Sequence, residues 1–277
     1  MKTVLLPSGE RVSAMGQGTW FMGEDASSRA EEIASLREGI ELGLALIDTA
    51  EMYGEGESEK LVGQAIAGWR DQVFLVSKVY PHNATRKGTL AACERSLRRL
   101  GTDYLDLYLL HWRGSVPFAE TLEALVELRA MGKIRHFGVS NLDLEDMQEF
   151  CAETAGNQVA TNQLLYNLTR RGIEWDLLPW CRQQRIPIMA YSPIEQARLL
   201  RHPKLVALAQ RHGLTAAQVA LGWLLANDDI IAIPKSGKRS HVRENAAVLA
   251  RPLSAEILAE LDQIFPPPQS SRPLEML

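Results

Sequence analysis

Short apolar runs alternate with amphipathic stretches along almost the whole sequence, and this alternation limits the possible fold more than any other feature. Eight runs are typical of buried strands: 13-SAMGQGTW, 45-ALIDTA, 73-VFLVSKV, 104-YLDLYLLH, 134-IRHFGVSN, 159-VATNQ, 186-IPIMAYSP and 230-IIAIPKS. Between them, apolar residues recur every three or four positions, which is typical of helices, in 30–42, 89–100, 118–131, 143–151 and 215–226. Strands separated by helices pair in parallel, because a parallel neighbour requires a crossover. The pattern predicts an α/β fold, a (β/α)8 TIM barrel of about 250 residues.

The two ends of the sequence lie outside this repeat. The opening 2-KTVLLPSGERVSA has two short runs around Pro7, Ser8 and Gly9, which predicts a β-hairpin at the bottom of the barrel. Residues 254–264 predict an extra C-terminal helix. The following segment, 266-PPPQSSRPLEML, is called the strap below, and we expect it to order on contact or to stay loose. Since no internal linker is evident, residues 1–277 are predicted to form one barrel domain.

The rival α/β architecture is a doubly wound nucleotide-binding sheet, which needs a glycine-rich turn after its first strand. In 16-GQGTWF the third glycine of GxGxxG is replaced by Phe21. The segment 54-GEGESEK lacks the GK[ST] end of a phosphate-binding loop. The barrel is therefore the better interpretation.

The composition and net charge limit the possible binding partners, but they do not distinguish between folds. The formal net charge of -4 gives no bulk attraction for nucleic acid or an anionic membrane. No segment has the layout of a signal peptide or the ~20 apolar residues of a membrane span, so a cytoplasmic monomer is expected. The three cysteines, Cys93, Cys151 and Cys181, are isolated and predict neither a disulfide nor a metal site.

Four polar residues stand at or just after the ends of three consecutive predicted strands. Asp48, Lys78 and His111 end these strands, and Tyr53 follows in the loop after Asp48. The carboxyl ends of barrel strands line one rim, where the loops build the active site. Taken singly, each residue has a structural alternative as a cap, a solvated cation, a buried histidine or loop packing. Taken together, they predict an acid, a cation, an imidazole and a phenol in one small volume.

These four groups suit proton transfer to a carbonyl oxygen. A phenol has a pKa near ~10 in water, and a neighbouring ammonium is expected to lower it. A carboxylate beside the ammonium keeps that cation charged in a partly dry site. Tyr53 is then a general acid, and a histidine donating from the other side orients the carbonyl oxygen. No nucleophile turn of the GxSxG type is present, so a hydrolase is not indicated.

The residues resemble those of the aldo-keto reductases over nearly the whole chain. The matching motifs are, in order, 18-GTW, 47-IDTAEMYG with 59-EKLVG, 76-VSK, 103-DYLDLYLLHW, 132-GKIRHFGVSN, 162-NQLLYN, 190-AYSP and 233-IPKS with 244-EN. The resemblance implies an NADPH-dependent oxidoreductase, with NADH less favoured as cofactor. It also implies a catalytic tetrad, which falls on Asp48, Tyr53, Lys78 and His111. The sequence is most similar to compact bacterial reductases of reactive carbonyls such as methylglyoxal.

The same resemblance implies where the cofactor lies. Ser140, Asn141 and Gln163 would hold the nicotinamide carboxamide, while Tyr191 would stack on the ring. Ser192 onward would run under the pyrophosphate, and Lys235 with Ser236, at the start of the next helix, would meet the 2'-phosphate. The remaining expected cofactor residues are Gly18, Thr19, Trp20, Pro193, Ile194, Gly237, Lys238, Arg239, His241 and, at the adenine, Glu244 and Asn245.

Three departures from the family pattern bear on these expectations. His241 stands where most relatives have an arginine that binds the 2'-phosphate, with Lys238 and Arg239 close enough to compensate. Ala197 stands where relatives often have glycine, so the loop over the pyrophosphate is expected to be stiffer. The short connection 112-WRGSVPF predicts a shallow and permissive pocket.

Trp20, Tyr53, His111 and Trp112 are the predicted substrate contacts, with Met22 as an additional candidate. The predicted partner is a small carbonyl compound: a 2-oxoaldehyde such as methylglyoxal, or an aromatic aldehyde. Two alternatives stay open at this point. One is a cofactor-binding regulatory barrel with slow turnover, and the other is an aldolase that uses Lys78 as a Schiff base.

Overall fold

The structure is a computed structural model, and it describes residues 2–277. An antiparallel hairpin precedes the barrel and consists of β1 (Thr3–Leu5) and β2 (Arg11–Ser13). Val12 points into the core, while the Glu10 carboxylate accepts from Arg135 at 3.0 Å. Arg135 lies at the start of a barrel strand, so the hairpin covers the amino-terminal end of the barrel, as predicted.

Eight parallel strands form the central sheet, each paired with the next along the chain. They are β3 (Gln17–Gly18), β4 (Leu46–Asp48), β5 (Phe74–Val79), β6 (Leu105–Leu110), β7 (Ile134–Ser140), β8 (Asn162–Leu165), β9 (Ile188–Tyr191) and β10 (Ile230–Ala232). Parallel bridges from Met15 to Ala232 and from Gly18 to Lys235 join the first strand to the last. The sheet therefore closes on itself, and the predicted barrel is confirmed.

Helices follow the strands and cover the outside of the sheet. They are α1 (Arg29–Glu41), α2 (Glu57–Ile66), α3 (Arg86–Leu100), α4 (Phe118–Ala130), α5 (Leu144–Ala152), α6 (Leu177–Gln183), α7 (Pro203–Arg211), α8 (Ala216–Leu225), α9 (Arg239–Ala246) and α10 (Ala255–Ile264). The five helices predicted between strands and the extra C-terminal helix are all present. Helix α3 begins earlier than predicted, because the Thr85 hydroxyl accepts from the Gly88 N–H and caps it.

None of the helices within residues 2–277 is long and apolar enough to cross a membrane.

The strap runs from α10 back across the barrel towards the carboxyl ends of the strands. Ser271 contacts Asp176 at 3.3 Å, and Glu275 forms an ion pair with Arg170. Leu274 packs against the core cluster. The strap is thus held by specific contacts, and it delivers its last two residues to the rim of the barrel.

Candidate active site

A buried ion pair joins the ends of β4 and β5. The Lys78 ammonium donates to both carboxylate oxygens of Asp48, at 2.8 and 2.7 Å, and to the Thr49 carbonyl at 2.9 Å. Lys78 is fully buried and Asp48 is 2% exposed. Asp48 also accepts from the Gln163 amide at 2.7 Å. These donors satisfy the carboxylate, which makes its burial tolerable.

Tyr53 lies directly beside this pair. Its hydroxyl oxygen is 3.2 Å from Lys78 Nζ. An ammonium is only a donor, so the Tyr53 oxygen accepts from Lys78 and its own proton points elsewhere. The tyrosine stands at the start of a short turn, Tyr53–Gly56, in which Gly54 and Gly56 have positive φ. Glycine adopts these angles without strain, which explains the glycines in the turn.

Two groups of hydrogen bonds fix the loop that carries Tyr53. The Glu51 carboxylate accepts from the Tyr80 N–H and from the Asn83 amide, both at 2.9 Å, and so ties this loop to the one after β5. The Ser58 hydroxyl donates to Thr19 at 2.8 Å, and Thr19 in turn donates to the Asp48 carbonyl at 2.9 Å. The phenol is therefore held by backbone and buried side chains rather than by a free loop.

His111 completes the cluster from the end of β6. Its ring lies 5.7 Å from the Tyr53 ring, edge to face, and its carbonyl accepts from the Asn141 amide at 3.2 Å. Burial and the nearby Lys78 ammonium hold the pKa of His111 well below its ordinary value. The imidazole is therefore neutral at physiological pH, and Nδ1 has no hydrogen-bond partner within residues 2–277.

The structure corrects the expected direction of the Tyr53 pKa. Burial, followed by the Asp48 charge, raises the pKa of Tyr53 well above its ordinary value, although the sequence predicted a lower one. Desolvation of the phenolate outweighs the single contact with Lys78. Burial likewise lowers the pKa of Lys78, and the Asp48 carboxylate opposes that shift. Tyr53 thus stays a protonated phenol throughout the neutral range.

Stability should fall in acid because of His111. Its folded pKa is lower than the unfolded value of 6.5, so the unfolded chain binds the proton first as the pH falls. We expect the free energy of unfolding to drop by about 1 kcal/mol per pH unit below 6.5 from this group alone. Denaturant titrations of wild type and His111→Gln at several pH values would measure it.

The variant should lose this part of the pH slope, whereas His82→Gln, at an exposed position, should keep it. Equal slopes for wild type and His111→Gln would contradict the buried neutral imidazole.

Two adjoining cavities open at the rim on either side of Tyr53. The larger, about 470 Å³, is lined by Gly18, Thr19, Trp20, Asp48, Tyr53, Tyr191, Ser192, Pro193, Ile194 and Lys235, together with Phe21, Gln196, Ala197 and Ile233. The first ten are predicted catalytic or cofactor residues, and Ala197 belongs to the predicted pyrophosphate loop, whereas Phe21, Gln196 and Ile233 had no predicted role. Phe21 follows the motif 18-GTW and Ile233 begins the motif 233-IPKS, so their proximity to predicted residues was the available signal.

The smaller cavity, about 170 Å³, is mostly apolar and aromatic. Its lining includes Trp20, Tyr53, His111, Trp112, Ser140, Asn141, Gln163 and Tyr191, all predicted, with Met52, Met276 and Leu277 in addition. Met22 lines neither cavity and is fully buried in the core, so its prediction as a pocket residue is wrong. Its backbone N–H turns back to Thr19, which directs the side chain inward.

The residues predicted to hold the nicotinamide carboxamide form a network at the junction of the two cavities. Tyr191 donates to Asn141 Oδ1 at 3.0 Å, Asn141 donates to the Ser140 hydroxyl at 3.1 Å, and Ser140 donates to the Gln163 carbonyl at 2.9 Å. The Gln163 amide nitrogen is engaged by Asp48, so its oxygen is the atom left to accept from a ligand. The network presents amide groups next to the Tyr191 ring.

The residues predicted for the far end of the cofactor lie around the start of α9. The sequence placed Lys235 and Ser236 at the start of this helix. Helix α9 begins instead at Arg239, so both residues precede it. Asn245 donates to the Ser236 hydroxyl at 3.2 Å, which fixes one near the other. Glu244 instead accepts from the Thr215 hydroxyl at 2.5 Å.

Cations near this end are partly neutralised by acids on α1. Arg239 pairs with Glu31 at 3.3 Å. Gly237 lies beside Glu32. Lys235, Lys238 and His241 are exposed at this end. None of the residues from Ser236 to Asn245 lines the larger cavity as the structure describes it, and only Lys235 reaches it.

The closed parallel barrel is the fold of an aldo/keto reductase of known structure. The model of the Aldo/keto reductase family matches residues 14–265, and this chain belongs to that family. The resemblance seen in the sequence is thereby confirmed.

Individual relatives are similar over nearly the full length. Methylglyoxal reductase YeaE of Escherichia coli is 57% identical over 269 residues, covering 95% of each chain. Glyoxal reductase of Bacillus subtilis is 34% identical over 95% of this chain and 92% of its own. The crystal structure of an aldo/keto reductase from Klebsiella pneumoniae in complex with NADP and acetate superposes with a TM-score of 0.97. It is 53% identical and covers 100% of this chain and 99% of its own.

Proposed function

We propose that this protein reduces small aldehydes and ketones to alcohols with NADPH, and that Tyr53 donates the proton. The observation that carries the proposal is the position of Lys78, which donates to Asp48 and to the Tyr53 oxygen at the junction of two cavities. The larger cavity, of about 470 Å³, has Tyr53, Tyr191 and Lys235 among its walls, and the other is small and mostly apolar. The junction is where a carbonyl group would meet both.

Tyr53 is the proton donor because its hydroxyl oxygen accepts from Lys78, which leaves the hydroxyl proton available to a substrate. The phenol stays protonated at neutral pH, since burial keeps its pKa high. A developing alkoxide is more basic than a phenolate, so the transfer is favourable as charge grows on the carbonyl oxygen. Lys78 then faces the phenolate that remains, and its positive charge stabilises that anion. Asp48 holds the ammonium in place throughout.

His111 orients the substrate from the opposite side. As a neutral imidazole it donates one hydrogen bond, and it lies against both Tyr53 and Trp112 in the smaller cavity. Two donors that converge on one oxygen place the carbonyl group and stabilise its growing charge. A protonated His111 would instead compete with Tyr53 for the transfer.

The larger cavity fits a nicotinamide cofactor. NADPH supplies a hydride to the carbonyl carbon when it is bound. Tyr191 offers an aromatic face at the junction, where the Asn141 and Gln163 oxygens accept from a carboxamide. Ser192, Pro193, Ile194 and Lys235 also line the cavity, and the Lys235 ammonium would be a counter-charge for phosphate. The relative from Klebsiella pneumoniae, crystallised with NADP, supports this assignment.

The smaller cavity indicates the substrate class. A volume of about 170 Å³ among Trp20, Trp112 and Met52 accepts a compact molecule with an apolar or planar body. Methylglyoxal, other 2-oxoaldehydes and aromatic aldehydes meet that requirement. The names of the relatives, methylglyoxal reductase and glyoxal reductase, support the same class.

The environment of Lys78 disfavours the aldolase alternative. Its nitrogen is surrounded by four oxygen atoms within 3.2 Å and is fully buried, so no lone pair is offered to a carbonyl carbon. Borohydride treatment with a carbonyl substrate should therefore leave Lys78 unmodified. The regulatory-barrel alternative predicts slow turnover, so the steady-state rate of carbonyl reduction distinguishes it from a reductase.

The test is steady-state oxidation of NADPH with a panel of carbonyl compounds. We expect many turnovers per protein molecule with methylglyoxal and with aromatic aldehydes, and slower turnover with bulky ketones. The absence of multiple turnover with every carbonyl in the panel would overturn the proposal.

Restoring the family's arginine should strengthen NADPH binding. His241→Arg adds a charged fork near Lys235 and Ser236, and we expect the Kd for NADPH to fall about threefold to tenfold through charge-assisted hydrogen bonds. The Kd for NADH, which lacks the 2'-phosphate, should stay unchanged. Tryptophan fluorescence titrations with both cofactors would measure the two constants. Equal changes for NADPH and NADH would place His241 away from the phosphate.

A further inference from the structure

A single arginine connects the walls of the two cavities. Arg170 follows β8 and donates through Nε and Nη2 to Glu195 Oε1, at 3.1 and 2.9 Å. Through Nη1 it also pairs with Glu275 of the strap. Glu195 lies in the loop 192–197, which lines the larger cavity, whereas Glu275 directly precedes the strap residues that line the smaller one.

The loop 192–197, which carries Glu195, is strained, and the Glu195 side chain is buried. Glu195 is 5% exposed and also accepts from Asn167 and Arg198, both at 2.8 Å. Burial alone would raise the pKa of Glu195, but its contacts with Arg170, Asn167 and Arg198 outweigh burial and lower it.

Four non-glycine residues of this loop have positive φ, and they are Ser192, Glu195, Gln196 and Ala197. Such angles cost energy and persist only when the surrounding contacts impose them. The carboxylate of Glu195 is therefore an anchor of the loop conformation.

The strap forms the other end of this connection. A cleft of about 380 Å³ lies between the strap and helices α5 and α6, with Arg170, Asp176, Arg272 and Glu275 among its walls. Beyond Glu275, Met276 and Leu277 are about half exposed and form one side of the smaller cavity. The main chain of Leu277 lies at the Tyr191 hydroxyl. The Arg170 pair with Glu275 and the contact of Leu277 with Tyr191 thus hold this wall on either side of Met276.

We propose that Arg170 is a positioning residue that couples the cofactor loop to the strap, so that filling the larger cavity fixes the wall of the smaller one. The guanidinium suits this role, because its planar fork binds two carboxylates at once and a lysine ammonium would not hold both in this geometry. The inference rests on the proposed function only in taking the larger cavity as the NADP site. Apolar substrates that touch Met276 and Leu277 would gain most from the coupling.

Hydrogen exchange with and without NADP+ tests the coupling without any turnover. In the wild type, NADP+ should slow exchange in both the loop 192–198 and the strap. In Glu275→Gln the cofactor should still bind with a Kd within about twofold and still slow the loop, but the strap should no longer respond. Glu127→Gln, which removes a similarly exposed pair with Arg86 between α3 and α4, is the matched control. It should behave as the wild type.

Steady-state kinetics give a second readout, which a general loosening of the protein would not produce. In Glu275→Gln the KM for an aromatic aldehyde should rise about threefold to fivefold, which is the range for one exposed ion pair, with kcat nearly unchanged. Arg170→Lys should show the same rise.

A strap that responds equally to NADP+ in wild type and Glu275→Gln, or that does not respond in the wild type, would overturn the coupling. Loss of carbonyl turnover with an intact exchange response would instead count against the proposed function alone.

Discussion

Tyr53→Phe should lower kcat for carbonyl reduction about 10²-fold to 10⁴-fold, the range expected when a positioned general acid is removed. The phenylalanine ring keeps the shape of the tyrosine, so both cavities retain their walls. Only the hydroxyl next to Lys78 is lost. The Kd for NADPH should therefore stay within about twofold, so the loss appears in kcat rather than in binding. Steady-state kinetics with methylglyoxal and a fluorescence titration measure the two effects separately.

Tyr80→Phe provides the control for this substitution. Tyr80 packs edge to face on Trp112 at 5.1 Å but lines neither cavity. Its variant should keep kcat within about twofold, because no group that meets the substrate changes. A Tyr53→Phe enzyme with a wild-type kcat would show that water or another residue supplies the proton.

Asp48→Asn should cost about 3–5 kcal/mol of folding free energy, because it leaves the Lys78 ammonium buried without its counter-ion. Turnover should fall as well, since an unpaired Lys78 loses its proton more readily and no longer stabilises the phenolate of Tyr53. Urea unfolding at neutral pH measures the first effect, and steady-state kinetics on the folded fraction measures the second.

A second substitution separates the ion pair from ordinary packing. Asp48→Asn with Lys78→Met removes both charges, so its cost should be well below the sum of the two single costs. Additive costs, or an Asp48→Asn protein as stable as the wild type, would mean that the two charges do not depend on each other in the folded protein.

The sequence was sufficient for the parts of the site that topology determines. Asp48, Lys78 and His111 end consecutive strands, and parallel strands in a barrel bring such ends to one rim whatever the details of packing. Gly18 and Tyr191, which were quoted within motifs, also end barrel strands and therefore lie at the same rim. Strand positions were likewise predicted from periodicity, although β3 and β4 are shorter than the apolar runs that contain them.

Features that depend on burial were not predictable from local pattern. The direction of the Tyr53 pKa was wrong because a sequence does not reveal how completely the phenol is desolvated. Met22 was named as an additional pocket candidate, but its side chain is buried in the core. In both cases the environment of the side chain, rather than its identity, decides the outcome.

The strap shows a different limit. Its sequence has no periodicity, and its course depends on contacts with residues far along the chain, including the pair between Arg170 and Glu275. Nothing in the local composition near Met276 indicates that it lines the smaller cavity. The lining of the smaller cavity was therefore only partly predicted, whereas the residues around Lys78 were all named from the sequence.

The most direct measurement of the central claim follows the hydride. NADPH carrying deuterium at the transferable position of the nicotinamide ring would be turned over with an aromatic aldehyde, and the alcohol product analysed by mass spectrometry and NMR. The account predicts one deuterium on the carbinol carbon and none on oxygen, since the hydroxyl proton comes through Tyr53 and exchanges with water. A product alcohol without deuterium, or an aldehyde consumed as an adduct of Lys78, would contradict it.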